Sequence, residues 1–263
     1  MTEGVDSRSV IRVRQDAKHL DDWVVVEEPL EIRVNGESLA VVMRTPGNEE
    51  DLALGFAITE GIVSRPSDIV AIDSLGEGRW ELRLAKGVTV EAKQFQRNFY
   101  STSSCGVCGK ASIDAIRVTG GTPPPGPVFD QDTLLALPEK LIAEQHAFHS
   151  TGGIHAAAAF ESDGRLVAVR EDVGRHNAVD KLVGHLARQG WPLAPMAFMV
   201  SGRISFEITQ KAAVAGVGIV AGVSAASTLA IDLAEEMGMT VVGFVRQGGF
   251  TVYCGEQRIR GLS

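Results

Sequence analysis

Residues 196–245 alternate short apolar runs with segments of helical periodicity, and this alternation narrows the fold more than any other stretch. The runs at 196–200, 217–223 and 240–245 read as buried strands, and 205–215 and 227–237 between them read as helices. Such alternation predicts a mostly parallel sheet covered by helices on both faces. Within it, residues 212–231, "AAVAGVGIVAGVSAASTLAI", carry no charge and imitate a membrane span. Gly216, Gly218, Gly222 and the Ser/Ala stretch suit a helix end, a short strand and a turn better, so no transmembrane segment or membrane insertion is expected.

Upstream, "GGIHAAAAFESDGRLVAVR" predicts a hairpin turning at Asp163-Gly164, and Asn177–Gln189 is an amphipathic helix ending before Gly190. The N-terminal third reads as α+β. Asn35-Gly36 separates two alternating runs, a strong hairpin signal. A helix follows, with Asn48 as the expected N-cap, acids in its first turn and Gly61 past its end. Short strands are expected at 69–73, 79–84 and 88–92. "GGTPPPGP" at 120–127 suits an extended connection, since no helix interior or central strand tolerates such a run of proline. The division expected is an N-terminal α+β part, 1–120, and a C-terminal α/β part, 121–263.

The 263-residue chain has 33 acidic against 25 basic residues, a net charge of −8, which argues against broad nucleic-acid binding. Three cysteines make no disulfide framework and fit a reducing cytoplasm, and the first twenty residues lack the apolar run of a secretory signal. Cys254, flanked by apolar residues, reads as a buried small hydrophobe.

In sheets of this kind ligands bind beyond the carboxyl ends of the strands. Those ends carry "REDVGRHN" (170–177), "SGRIS" (201–205), "VSAAS" (223–227) and "VRQGG" (245–249). They bring Arg170, Arg175, Arg203, Arg246, serines and glycines to helix starts, a composition suited to a phosphorylated ligand. Singly, each serine or asparagine is an ordinary cap and each arginine an ordinary surface or paired residue. Coincidence of four on one rim favours a ligand site, although none is a P-loop or dinucleotide fingerprint.

Cys105 and Cys108 lie between glycines in "STSSCGVCGKASID" (101–114). Half of a zinc site, a dithiol redox centre and a sulfur carrier are the competing readings. His146, His149, His155 and His176 match no familiar zinc spacing, and His176 is the one that merits testing. A thioredoxin-type pair would follow the first strand of its own βαβ unit, whereas the strand–helix run lies downstream. A thiol that travels between partners fits best; Gly106 and Gly109 would expose it, and Lys110 would favour thiolate.

Together, "MRTPG" with "EDLALGFAITEGI", "SSCGVCG", "TGGIHAAA", "REDVGRHNAVDKL", "SGRISFE", "VSAASTLA" and "GFVRQGGFTVY" resemble the FdhD family of formate dehydrogenase accessory proteins, from about Met43 to Tyr253. Such proteins often carry proline where Ala226 stands. The resemblance implies a cytoplasmic, homodimeric sulfurtransferase with a cytidine deaminase-like C-terminal part that lacks zinc chemistry. It implies that Cys105 carries a persulfide taken from a cysteine desulfurase, with Cys108 as companion. The acceptor would be the molybdenum cofactor, bis-molybdopterin guanine dinucleotide, for delivery to formate dehydrogenase; a guanine nucleotide would mimic it. By the same resemblance, Phe244, Val245, Arg246, Gln247, Gly248 and Gly249 form the cofactor segment. Arg175, His176, Ser201, Arg203 and Ser224 on the neighbouring loops would join them. A cofactor-binding chaperone without sulfur chemistry and a zinc-dependent, deaminase-like enzyme are the alternatives.

Overall fold

The computed structural model describes residues 4–89 and 126–262. An antiparallel ribbon, β1 (Val5–Val13) with β2 (Ala17–Val25), leads into β3 (Glu28–Val34) and β4 (Glu37–Arg44). Helix α1 (Glu49–Thr59), β5 (Ile69–Gly76) and β6 (Arg79–Leu84) follow, and the four strands order as β4-β3-β6-β5. Asn35 and Gly36 take φ of 48° and 87°, the two left-handed residues of a tight hairpin turn. Asn35 Oδ1 accepts from the Leu84 amide at 3.0 Å, tying the turn to β6.

Asn48 occupies the N-cap position of α1 but does not cap it: its backbone is left-handed (φ 58°) and its side chain makes no capping bond. Asparagine tolerates this conformation better than most residues. Residues 88–89 of the expected strand at 88–92 are not part of a strand, and 90–92 lie outside the described residues. So do Cys105, Cys108, Lys110, most of the proline-rich connection and the boundary expected at 120/121.

The C-terminal half continues with β7 (Phe129–Asp130), α2 (Gln131–Ala143), α3 (His146–Thr151), β8 (His155–Phe160), β9 (Leu166–Asp172) and α4 (Arg175–Gln189). Then come β10 (Ala197–Val200), α5 (Phe206–Val214), β11 (Ile219–Gly222), α6 (Thr228–Glu236), β12 (Thr240–Arg246), β13 (Gly249–Cys254) and β14 (Ile259–Arg260). Six strands form one mixed sheet in the order β13-β12-β11-β10-β8-β9. Its parallel pairings are confined to β10–β11 and β11–β12; β8 and β13 each run antiparallel to their neighbours. The parallel share is therefore smaller than the strand–helix alternation predicts, because the hairpins β8–β9 and β12–β13 extend the sheet on both sides. Since β8 opposes both β9 and β10, the strands β9, β10, β11 and β12 all point the same way. Their carboxyl ends share one rim, together with the starts of β8 and β13.

Both faces of this sheet are buried. Phe129, Leu134, Leu137 and Leu141 cover one face over Phe160, Met199 and Ile219. On the other, Val179, Leu182, Val183 and Ile208 share a core with Leu30, Ile32, Leu52 and Phe56 of the N-terminal part. Each such side chain contributes roughly 1.5–3 kcal/mol on leaving water. Helices α1 and α4 meet backbone to backbone: a Cβ on Gly55 would lie 1.8 Å from the Asp180 carbonyl oxygen, and one on Gly184 1.9 Å from that of Asp51. No side chain fits there, so these glycines set the distance between the helices. Among the described residues, no helix is long and apolar enough to cross a membrane.

Candidate functional site

The rim loops are braced against one another. Ile204 donates its amide to the Ala225 carbonyl at 3.0 Å, and Ser227 donates to that of Ile204 at 3.0 Å. Ile204 and Ala226 form an isolated parallel bridge, so Ala226 sits in a held loop without proline's help. Ser201 Oγ accepts from the Ala156 amide at 2.9 Å, and the Ser224 carbonyl accepts from the Phe244 amide at 3.0 Å. Ser227 is an ordinary N-cap, its side chain accepting from the Ala230 amide.

Most of "REDVGRHNAVDKL" is committed to scaffold. Arg170 donates from Nε and Nη2 to Asp51 at 3.1 and 2.8 Å, so it is a paired structural residue and not part of an anion site. Glu171 accepts the Ala147 and Phe148 amides, both at 2.9 Å, at the start of α3. Asp172, fully buried, faces Lys181 Nζ at 2.8 Å and accepts from Thr45, Gly174 and Asn177. Asp180 bonds Thr59 and Lys211. Arg175 and His176 of the motif stand at the rim, in the first turn of α4.

Arg175 opens α4, and its Nε is buried without a hydrogen-bond partner. His176 Nε2 lies 3.3 Å from Ser205 Oγ and 3.7 Å from Glu207 Oε2. Burial alone would raise the Glu207 pKa, but the adjoining His176 and nearby backbone and Ser205 groups hold it below the usual carboxylate value. His155, at the start of β8, joins them from the opposite chain direction. Burial, then the charges of Arg175 and His176, keep its imidazole pKa below the ordinary histidine value, against a smaller opposing effect of Asp172.

The remaining predicted residues are spread along the rim. Arg203, Arg246 and Gln247 are exposed, Ser224 is half-buried, and Gln247 donates to Glu139 at 2.6 Å. Arg246 stacks over the Phe244 ring at 5.5 Å, and Phe244 holds a left-handed φ of 52°. Gln247 and Gly248 form the turn of the β12–β13 hairpin, with Gly249 opening β13, so this segment leads to no helix start. Val245 is fully buried in the core, and its side chain cannot touch a ligand. Cys254 is buried, as its flanking residues suggest, and burial raises its thiol pKa. Among the described residues, no group of three or more His, Cys, Asp or Glu is placed to hold a metal.

His155 and Glu207 are the residues that sequence reasoning did not place at the site, whereas Ser205 closes the SGRIS loop already named. A lone histidine in "TGGIHAAA" gives no sign of its neighbours until the order of strands is known. The rim brings together a half-buried guanidinium with an unpartnered Nε, two imidazoles, hydroxyls and an exposed aromatic–arginine pair.

Comparison with known proteins gives the same family that the motifs suggest. The FdhD/NarQ family model matches residues 25–260. A protein of Streptomyces avermitilis named sulfur carrier protein FdhD is 47% identical over 97% of this chain and 95% of its own length. Its namesake in Streptomyces coelicolor is 48% identical at the same coverage, and that of Sulfolobus acidocaldarius 43% over 91% of this chain and 92% of its own. A crystal structure of a candidate formate dehydrogenase accessory protein from Desulfotalea psychrophila superposes with a TM-score of 0.78, covering 97% of this chain and 99% of the other at 21% identity. With its fold shared and nearly its whole length matched, the chain belongs to the FdhD/NarQ family.

Proposed function

We propose that this protein is a sulfur carrier serving formate dehydrogenase, and that it delivers sulfur to a molybdenum cofactor held at the rim of the six-stranded sheet. The observation that carries this reading is the near full-length match, at 47% identity, to a protein named as a sulfur carrier, over a span containing Cys105-Gly-Val-Cys108. The unpartnered Nε of Arg175 and the neighbouring imidazoles support the cofactor half, since a guanine dinucleotide brings pyrophosphate charge to such donors.

In the proposed reaction, the Cys105 thiolate attacks the outer sulfur of a cysteine desulfurase persulfide. A new S–S bond forms on Cys105, the old one breaks, and the desulfurase leaves as its thiolate. The Cys108 thiolate then attacks the Cys105 sulfur, expelling sulfide to the molybdenum substrate and leaving a Cys105–Cys108 disulfide. A dithiol reductant returns both thiols. In this reading the protein works in the cytoplasm as a homodimer, and its partners are the desulfurase and formate dehydrogenase.

The test is persulfide loading of single-cysteine variants. After incubation with desulfurase and cysteine, wild type gains the mass of one sulfur atom and Cys105→Ser does not. Cys108→Ser loads but transfers poorly; transfer equal to wild type removes the resolving role. Normal formate dehydrogenase activation by Cys105→Ala replaces sulfur transfer with a cofactor-chaperone role.

A further inference from the structure

His155, Gly202 and Arg175 come from three separate elements and enclose one spot on the rim. A Cβ placed on Gly202 would stand 3.3 Å from Cε1 and Nδ1 of His155 and 3.8 Å from Cδ of Arg175. The missing side chain of Gly202 thus leaves space between the His155 imidazole and the Arg175 side-chain stem, whose Nε is buried without a partner. His155 pairs with Asp172 across the β8–β9 ladder, but that carboxylate is already matched by Lys181. His176, next along α4, lies beside Ser205 and Glu207 at the start of α5, so Glu207 serves His176. Among the described residues, the charged groups acting on His155 are Arg175, His176 and Asp172, and Asp172 is already matched by Lys181.

We propose that His155 is the proton-linked member of an anion clamp formed with Arg175 and His176, so that a pyrophosphate-bearing ligand and one proton bind this rim together. This deepens the reading of the rim as the cofactor site and rests on it. In the free protein burial, and then the neighbouring Arg175 and His176, disfavour the His155 imidazolium. An arriving pyrophosphate reverses the local charge, favours the imidazolium and gains a second charged donor beside Arg175. Glu207 acts as a positioning residue by holding the His176 ring.

Calorimetric binding of GDP, measured in two buffers of different ionisation enthalpy, counts the protons taken up. Wild type takes up more than His155→Gln. As pH falls from about 8 to about 6, wild-type affinity rises relative to the variant by up to roughly tenfold per unit, the limit for one linked proton. Equal uptake and equal pH slopes in the two proteins overturn the clamp while leaving the cofactor site standing. A linkage that survives in His155→Gln and vanishes in His176→Gln also overturns it. NMR titration of the His155 ring in the wild-type protein needs no variant: its pKa rises when GDP is added, and an unmoved value refutes the proposal. If wild type binds neither GDP nor inorganic pyrophosphate, the reading of the rim fails and the clamp falls with it.

Discussion

Lys211 on α5 and Arg175 at the start of α4 are two cations of the same half of the molecule with opposite surroundings. Lys211 Nζ uses its donors on Thr59 Oγ1, Glu60 Oε1 and Asp180 Oδ2 at 3.0, 2.8 and 3.0 Å. Thr59 in turn donates to Asp180 at 2.6 Å. Burial opposes the ammonium charge, yet Asp180 and Glu60 outweigh it and hold its pKa above the usual lysine range. This cluster joins α1, α4 and α5 and leaves no donor of the ammonium for a ligand. Arg175 keeps a buried Nε with no partner and stands beside two histidines. Matched charge builds the scaffold, whereas the unpartnered donor of Arg175 stands where the proposed anion would bind.

The largest effect expected from breaking this contrast is at the matched cluster. Lys211→Met leaves Asp180 buried without its cation and lowers stability by about 3–5 kcal/mol, read from urea denaturation at neutral pH. Adding Asp180→Leu restores part of the loss, because the fully buried carboxylate then leaves with the cation while Glu60 keeps its charge. The pH dependence has a definite sign. A folded-state pKa raised above the unfolded value gives stability that is fully present below the unfolded pKa of about 10.4. It is lost only as pH rises through the folded value. The difference between wild type and Lys211→Met therefore persists through neutral and mildly alkaline pH.

A middle-sized effect belongs to the unmatched cation. Arg175→Gln lowers GDP affinity by roughly 10- to 100-fold, the loss of charge-assisted bonds worth about 1.5–3 kcal/mol. Its unfolding free energy stays within about 0.5 kcal/mol of wild type, since among the described residues its Nε has no hydrogen bond to give up. A comparable loss of stability in Arg175→Gln would erase the distinction between the two cations.

Phe244 offers the smallest effect. Its left-handed backbone costs about 1–2 kcal/mol, and its stacking with Arg246 returns about 0.5–1 kcal/mol. Phe244→Gly consequently raises stability by up to about 1 kcal/mol in the same denaturation experiment. A marked destabilisation would place Phe244 with the scaffold instead of the rim.

Much of the local structure was legible in the chain. Asn35-Gly36 and Asp163-Gly164 announce the two hairpins because tight turns need particular backbone angles and few residues supply them. Apolar runs of strand length between helical segments announce β10, α5, β11, α6 and β12 within a few residues. The polar loops at the strand ends were also readable, because serine, arginine and glycine interrupt the apolar runs there. Which of those arginines is committed to an ion pair was not readable: Arg170 and Arg175 look alike until Asp51, 119 residues before Arg170, is found against the first.

By itself, then, the sequence determined the elements, their turns, the family and the kind of residue gathered at the strand ends, since these depend on neighbours a few positions apart. Only the tertiary structure decided that β8 runs between β9 and β10 in the opposite direction, bringing His155 to the rim, and that Gly55 and Gly184 let α1 and α4 touch. Those outcomes depend on pairings between distant segments, and burial and close packing select them only when the whole core forms.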